Sequence, residues 1–501
     1  MRRKISKKDS VVSITIFTLI VIIITSILSI LGLEGQQTII TANGTLETYL
    51  ITTNNILSIE GIKYIFGEAI NNFINFKPLT YFVVSLIGIS IAESSGLLSY
   101  IASKLRRLKF KYLTMLVILT SLLFTFVGDY SFVYLIPIVA AIYKKIGKNP
   151  ILGIITVFLS LTMGYSLGIV SNYNDYFLGT MTQVSARLEV DKNFVFNLSS
   201  NLYINLFSSI IFIIVTTYFI ENKLALKFSN PEIEENEYKI SPKANEYTFI
   251  TLMVLILLTA ILIVPNVPYL GWLLDTEATT YMDKLFGENS AFGKGLLYII
   301  TIVMIICSYV YGKISGNIKK NFDYTKGLSV LFEKTGPLFI LMFFISQLIG
   351  ILEWTNVGNV ITTNLLDFMS GLEFSGIPLI FVSFMLIVVM TLLIPSSVDK
   401  WVLLSPVIVP LFMRSNITPN YTQFLFGLAD GIGKALTPIF PYYIIMIGLI
   451  EKYKDKEDLN FLEVMKMLLP TILIVSGILL LILIGWFLIG LPLGIGSFSS
   501  L

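Results

Sequence analysis

The sequence predicts an all-α polytopic membrane protein with nine transmembrane helices, two re-entrant hairpins and an inverted-topology repeat. Of its 501 residues, 55% are hydrophobic and 13% are charged, and apolar runs of span length recur along the chain. The alternating ten-residue strands of a transmembrane barrel are absent. A polar stretch, "LLIPSSVDKWVLLSPVIVPLF" at 392–412, interrupts apolar sequence. Because charge in hydrocarbon is costly, this stretch indicates a functional site.

The distribution of basic residues predicts the orientation in the membrane, because Lys and Arg concentrate in cytoplasmic loops. Basic clusters lie at 2–8, 104–111, 144–148, 313–326 and 452–456. The polar segments 34–60 and 266–295 are nearly free of Lys and Arg. We therefore expect a cytoplasmic N-terminus, external segments at 34–60 and 266–295, an external C-terminus and a place in the cell membrane.

Hydropathy and orientation together give the order of the elements. The first apolar run is too long for a signal peptide and lacks a small-residue cleavage site, so we predict a retained span. The predicted spans are 11–33, 79–101, 151–185, 192–220, 247–265, 296–312, 329–352, 422–450 and 462–489. An amphipathic stretch is expected at 355–373, and the charged loop 221–246 is predicted to be a cytoplasmic linker.

Two pairs of short apolar arms predict the hairpins. Residues 112–127 and 131–143 each fall short of the roughly 20 residues of a full crossing, and lysines lie at both outer ends of the pair. We predict a re-entrant hairpin at 112–143 that enters from the cytoplasm, and a second at 376–413 that enters from outside, with "IPSSVDKW" at its tip.

The two halves of the chain resemble each other, which predicts an inverted repeat. Asp129 precedes Pro137 by eight residues, and Asp399 precedes Pro406 by seven. In such repeats, broken helices meet near the bilayer midplane and form the substrate site. The breaks are predicted at Gly164, Gly168, Gly431 and Gly433. The predicted units are 1–78 (first span and external segment), 79–220 (first repeat), 221–328 (linker and two connecting spans) and 329–501 (second repeat).

Several collinear motifs resemble the p-aminobenzoyl-glutamate transporter (AbgT) family over nearly the whole chain. They are "GISIAESSGLL" (88–98), "GKNPILGIITVFLSLTMGYSLGIV" (147–170), "NDYFLGTMTQVSA" (174–186) and the segment 396–442. The resemblance implies a dimer of nine-span subunits with two hairpins. It also implies transport of p-aminobenzoyl-glutamate or related folate-like aromatic acids, or export of sulfonamide-like antimetabolites.

The resemblance also implies site residues. Within the matching motifs these are Asp175, Ser396, Lys400, Trp401, Pro406 and Asp430. The chain departs from the family pattern where an arginine is replaced by Gly427, an asparagine by Lys434 and another asparagine by Ile169, and where Asp399 is added. One basic residue is thus lost and another gained nearby.

Each candidate also has a structural interpretation. The tip residues Ser396, Ser397, Asp399 and Lys400 line a cavity, unless the hairpin reaches solvent and Asp399 and Lys400 form a surface pair. Trp401 offers a flat face to an aromatic substrate, or belongs to an interfacial belt.

The remaining candidates are carboxylates and their partners. Asp430 and Lys434 are spaced i,i+4 and suit both an ion pair and substrate binding. Asp129 is expected to cap the second arm of the first hairpin with its carboxylate, with ion binding as the alternative. Glu93 is expected near the cytoplasmic interface.

These observations leave two classes of function. The first is a secondary transporter of a small anionic substrate, driven by a proton or sodium gradient, with no nucleotide-binding loop. The alternative is an intramembrane aspartyl protease, suggested by Asp129, Asp399 and Asp430. With no histidine, a proton relay must use carboxylates, and the single Cys307 excludes an internal disulfide or a cysteine-based metal cluster. We expect no cofactor, no bound metal and no nucleic-acid partner.

Overall fold

The computed structural model describes residues 10–41, 45–168, 170–189, 191–231, 238–265, 267, 270–287, 289–454 and 459–501. The basic cluster 2–8 and Ile169 lie outside these ranges. Within them the chain is mostly helical, so the predicted all-α polytopic architecture is confirmed.

The helices of the first half precede the predicted linker. They are α1 (Ser10–Ile30), α2 (Ile59–Gly67), α3 (Ala69–Ile74), α4 (Lys77–Ser94), α5 (Leu97–Leu105), α6 (Phe110–Phe124), α7 (Tyr130–Lys145), α8 (Pro150–Met163), α9 (Tyr173–Glu189) and α10 (Leu202–Phe219).

The helices of the second half follow the linker. They are α11 (Pro242–Ile261), α12 (Tyr281–Phe286), α13 (Ala291–Ser315), α14 (Asn321–Gly327), α15 (Gly336–Thr355), α16 (Val357–Gly371), α17 (Gly376–Leu393), α18 (Ser397–Arg414), α19 (Pro419–Leu436), α20 (Pro441–Tyr453) and α21 (Phe461–Ile489).

Nine helical segments in the described ranges are long and apolar enough to cross a membrane, but they are not the nine predicted. They are α1, 110–127, α10 with its extension to Lys227, α11, α13, α15, α17, the α19–α20 pair and α21. The α4–α5 pair is bent by 73°. The bend lies at Gly96, between the two helices, where a φ of +84° favours glycine. At 14 residues, α8 is short for a span.

The first hairpin is formed by α6 and α7 around a tight tip. Gly128 turns the chain with a φ of +63°. The two outer ends adjoin: the Lys148 ammonium lies 4.8 Å from the centroid of the Phe110 ring, and the Phe110 and Tyr143 ring centroids are 6.4 Å apart. Both ends therefore lie on the same side of the molecule. Whether the hairpin is re-entrant stays a prediction.

The arms of the second hairpin lie close to the predicted bounds 376–413, but they are nearly long enough for full crossings. Both α17 and α18 have 18 residues, and α17 is apolar enough to cross a membrane. Proline at position 395 and the extended backbone of Ile394 end α17, and α18 begins two residues later. Arm length therefore does not support re-entry for this hairpin, and the inverted repeat also stays a prediction.

Two helical segments are interrupted by breaks, one between α8 and α9 and the other between α19 and α20. The helices α8 and α19 pack against each other in the protein core. A Cβ added at Gly431 of α19 would lie 2.4 Å from the carbonyl oxygen of Thr162 in α8. The backbones approach this closely because Gly431 has no side chain. The hairpin tips lie beside these helices: Asn172 donates to the Thr125 carbonyl (3.2 Å), and Thr437 donates to the Leu392 carbonyl (3.1 Å).

The segment 34–60, predicted only to be polar and external, forms regular structure. Strands β1 (Glu34–Ile40) and β2 (Leu46–Thr52) pair antiparallel. The Asn364 amide of α16 donates to the Glu34 carbonyl (2.7 Å), which fixes the ribbon on α16. A second small pair, β3 (Pro492–Gly494) and β4 (Ser497–Phe498), returns the chain end to the start of α19, where the Thr418 N–H donates to the Ser499 carbonyl.

Candidate functional site

The start of α18 points polar groups into the core. The Ser396 hydroxyl accepts from the Asp399 N–H at 3.3 Å and so caps the helix. Adjacent side chains of an α-helix are about 100° apart, so the two face different surroundings: Asp399 is exposed, whereas Lys400 is completely buried. The hairpin tip therefore separates this acid–base pair. The buried lysine finds its partner on another helix.

Asp430 of α19 is that partner, and it binds a second lysine as well. Its Oδ1 lies 2.6 Å from Lys400 Nζ, and its Oδ2 lies 3.0 Å from Lys434 Nζ. The Ser397 hydroxyl donates to Oδ2 at 2.7 Å and accepts from Lys434. All four side chains are buried. The predicted i,i+4 pair of Asp430 and Lys434 is confirmed, but it is half of a three-charge cluster.

The two lysines of this cluster differ in how completely they are enclosed. Lys400 also donates to the Ile394 carbonyl at 2.9 Å, at the break between α17 and α18. Lys434 retains 8% exposure. Its ammonium lies 5.6 Å from the centroid of the Tyr165 ring and 5.5 Å from that of Phe440. Lys434 is therefore the more accessible cation, with aromatic surface around it.

Gly427 lies one turn before Asp430. A Cβ added there would be 2.3 Å from the Ser166 hydroxyl. A side chain at 427 would displace Ser166 from the break after α8. Lys434, one turn after Asp430, supplies a positive charge near Asp430 in place of an arginine at position 427.

Trp401 is completely buried and leaves no accessible ring face in this conformation. Its ring centroid lies 4.3 Å from that of Phe426. Its indole N–H donates to the Leu178 carbonyl and the Thr182 hydroxyl, each at 3.1 Å. These contacts anchor α18 to α9. A role as an aromatic platform for the substrate stays a prediction.

Asp175 lies in the first turn of α9 and makes a reciprocal cap with Asn172. The Asn172 N–H donates to its carboxylate at 2.9 Å, and its own N–H donates to the Asn172 side chain at 3.0 Å. Because Asn172 also donates to the Thr125 carbonyl, this cap ties α9 to the first hairpin tip. Pro406 is buried within α18, beside a hydrogen bond between the Ser405 and Ser185 hydroxyls (3.0 Å).

Asp129 does not cap α7 as expected. It occupies the N-cap position, but its side chain makes no capping hydrogen bond. Its carboxyl group interacts instead with the Tyr442 hydroxyl and lies within electrostatic reach of Lys434 and Asp430. The αR backbone of Asp129 differs from the extended conformation usual at an N-cap, which accounts for the missing cap.

The predicted break at Gly431 and Gly433 is wrong in position. Both glycines are helical within α19, and the break lies at 437–440. Thr437 precedes a proline, which disfavours helical backbone at Thr437 and so ends α19 there. Gly164 and Gly168 do flank the break between α8 and α9.

The sequence prediction missed Tyr165 and Tyr442. Tyr165 lies under Lys434, accepts from the Asn174 amide at 3.0 Å and is within electrostatic reach of Asp129, Asp175 and Asp430. Its position within "MGYSLG", at a recognised break, was the available signal. Glu93 forms a 2.6 Å ion pair with Lys145, and its place near the cytoplasmic interface stays a prediction. Among the described residues no three His, Cys, Asp or Glu side chains form a metal site.

Broken helices that pack at a glycine, with a buried charge cluster beside the contact, are features of helical membrane transporters. The chain belongs to the AbgT putative transporter family, whose model matches residues 8–501. It is 25% identical over 473 residues to the p-aminobenzoyl-glutamate transport protein of Escherichia coli (strain K12), covering 92% of this chain and 90% of that protein.

Two solved transporters have related structures. The YdaH transporter of Alcanivorax borkumensis is 24% identical, with a TM-score of 0.50 and coverage of 97% of this chain and 99% of that one. MtrF of Neisseria gonorrhoeae, described with a class of antimetabolite efflux pumps, is 24% identical, with a TM-score of 0.49 and coverage of 98% and 97%.

The protein is therefore a multi-pass membrane transporter, not an enzyme. The site agrees with this class. An aspartyl protease needs two carboxyl groups that share a proton. Asp430 instead forms ion pairs with two lysines, and Asp399 is exposed.

Proposed function

We propose that the protein carries p-aminobenzoyl-glutamate or a related aromatic carboxylate across the cell membrane, by secondary active transport. The observation that supports this most directly is the buried cluster of Lys400, Asp430 and Lys434. A buried charge must be paired, because an unpaired one costs several kcal/mol. A substrate carboxylate can take over one of the pairs that Asp430 makes at rest.

Lys434 is the residue that exchanges partners in this proposal. It is the more accessible lysine, and the rings of Tyr165 and Phe440 beside it suit the aromatic part of a substrate. Lys400 stays with Asp430 because it is completely enclosed and also bonds the Ile394 carbonyl. The two lysines thus have separate roles, one structural and one in binding.

Proton or sodium gradients are the proposed driving forces. Protonation of Asp430 would break its ion pair with Lys434 and leave Lys434 free for an anion, while Lys400 keeps its hydrogen bond to the Ile394 carbonyl. Asp175 is the second carboxylate that could take up the coupled proton. Flux measured against pH for Asp430→Asn and Asp175→Asn should differ from wild type in at least one variant. If both keep the wild-type rate and pH dependence, sodium coupling replaces this part of the proposal.

The substrate class is tested by flux into proteoliposomes. The panel contains p-aminobenzoyl-glutamate, glutamate, a sulfonamide and an uncharged aromatic amide. We expect Lys434→Gln to lower the flux of the aromatic carboxylate at least about tenfold, as for loss of one charged hydrogen bond. Lys145→Gln is the matched control, because Lys145 has a 2.6 Å ion pair away from the site.

Two outcomes would contradict the proposal. One is equal transport of the carboxylate and the uncharged amide. The other is Lys434→Gln flux that equals that of Lys145→Gln. Both variants are compared at equal amounts of folded protein in the vesicles. A homodimer, implied by the family resemblance, is also proposed, and the mass of the protein in detergent tests it.

A further inference from the structure

A cavity of about 230 Å³ has Asn174 in its wall, and the Asn174 amide donates to the Tyr165 hydroxyl. Three parts of the chain meet around it: the start of α4, the tip of the first hairpin and the start of α9. Part of α12 and α13 closes it. We call it the tip cavity. None of the three lysine-cluster residues Lys400, Asp430 and Lys434 lines it.

Aromatic rings form much of the wall of the tip cavity. Tyr81 and Tyr130 meet edge to face with centroids 4.9 Å apart. Tyr173 and Phe286 form a second pair at 5.4 Å, and Phe126 is also in the wall. Ligands of drug size occupy about 300–1,000 Å³. The tip cavity is smaller than this and suits one aromatic ring with one small polar group.

Lys77 supplies a positive charge to this wall. It is exposed at the first position of α4, and its ammonium has no ion pair or hydrogen bond with any residue in the described ranges. The other charged group of the wall, Asp129, interacts with Tyr442 and is within electrostatic reach of Lys77. Among these wall residues Lys77 is the basic one, so it is the group that can bind an anion. A carboxylate is the group that matches it.

Tyr165 separates the tip cavity from Lys434. Asn174 in the cavity wall donates to the Tyr165 hydroxyl at 3.0 Å. On the cavity side, a Cβ added at Gly128 would be 3.6 Å from the same hydroxyl. On the other side the Tyr165 ring lies 5.6 Å from the Lys434 ammonium. One side chain thus stands between two aromatic-lined lysines.

We propose that the tip cavity is a second binding site for an aromatic carboxylate, with the ring between the two aromatic pairs and the carboxylate on Lys77. It is an outer station from which the ligand passes Tyr165 to reach Lys434. This rests on the proposed function, which places the inner site at Lys434.

Equilibrium binding of labelled benzoate to the full chain in nanodiscs tests this. We expect two benzoate molecules per wild-type chain, with one lost in Lys77→Gln and the other lost in Lys434→Gln. The affinity of the affected site should fall at least about tenfold. Lys77→Arg should retain both sites. Lys63→Gln is the matched control, because Lys63 is an exposed lysine on α2 outside the cavity wall.

A second variant keeps both charges and fills the space. Leu296→Trp at the cavity wall should remove the same site as Lys77→Gln. Two benzoates bound to Lys77→Gln and to Leu296→Trp would overturn the outer station. So would a single wild-type site that is lost in Lys434→Gln alone, a result that leaves the proposed function standing. Loss of both sites in Lys63→Gln, or no wild-type binding, would also overturn it.

Discussion

At the scale of single residues, the account depends on Asp430. Its carboxylate satisfies two buried ammonium groups at 2.6 Å and 3.0 Å, so its removal leaves two positive charges in the core. We expect Asp430→Asn to lower the free energy of unfolding by about 3–5 kcal/mol.

Glu93→Gln is the control for this prediction. Glu93 pairs with one lysine, Lys145 at 2.6 Å, and both side chains keep more exposure (14% and 17%) than Asp430, so its loss should cost less than that of Asp430. Thermal unfolding in detergent measures both variants. If Asp430→Asn and Glu93→Gln lower the free energy of unfolding equally, the two lysines around Asp430 do not depend on its carboxylate as proposed.

The sequence identified the charged residues of the cluster better than it identified their ion-pair partners. It singled out Lys400, Asp430 and Lys434, because charge in an apolar run is conspicuous. It offered Asp399 as an alternative partner of Lys400, whereas the structure pairs Lys400 with Asp430 thirty positions away. Helical spacing decides which of two adjacent side chains faces the core, but the partner across the interface depends on tertiary packing.

At the scale of helices, the crossing of α8 and α19 depends on Gly431. A methyl group there would meet the backbone oxygen of Thr162, which cannot rotate away. We expect Gly431→Ala to force the helices apart, with a loss of about 1–3 kcal/mol in stability and a loss of transport.

Gly485→Ala in α21 is the matched control, since no atom lies within 4 Å of the added Cβ. It should be neutral, or stabilising by about 0.5–1 kcal/mol, because alanine favours the helix. The free energy of unfolding is measured for both variants in detergent. If Gly431→Ala behaves like Gly485→Ala, the backbones are not in contact at this crossing.

The first hairpin gives a second prediction at this scale. Because its ends adjoin through Lys148 and Phe110, cysteines at 109 and 148 should react with an impermeant reagent from the same side. A cysteine at 47, in β2, should react from the opposite side. Cys307 is first replaced by serine, since it is the one native cysteine. Labelling of 109 and 148 from opposite sides would contradict the hairpin.

Helix positions were predicted from hydropathy with fair success, and breaks less well. Periodicity and apolar length find α1, α10, α13 and α21, because these helices have long exposed apolar faces. The break after α19 was placed one turn early, at Gly431 and Gly433. Glycine permits both a bend and a close approach, and sequence alone does not separate the two uses.

At the scale of the whole molecule, two interrupted helices bring a charge cluster and two hairpin tips together in the core. A membrane protein bears buried charge at this cost when the charge serves function. In the proposed function, this cluster binds a substrate whose movement is coupled to an ion gradient.

Concentrative uptake tests that claim most directly. Labelled p-aminobenzoyl-glutamate is followed in proteoliposomes with an imposed proton or sodium gradient, in both directions. We expect accumulation above the external concentration under one of these gradients, collapse on adding the matching ionophore, and no accumulation with Lys434→Gln. Mere equilibration of the substrate under every gradient, or accumulation that survives Lys434→Gln, would contradict it.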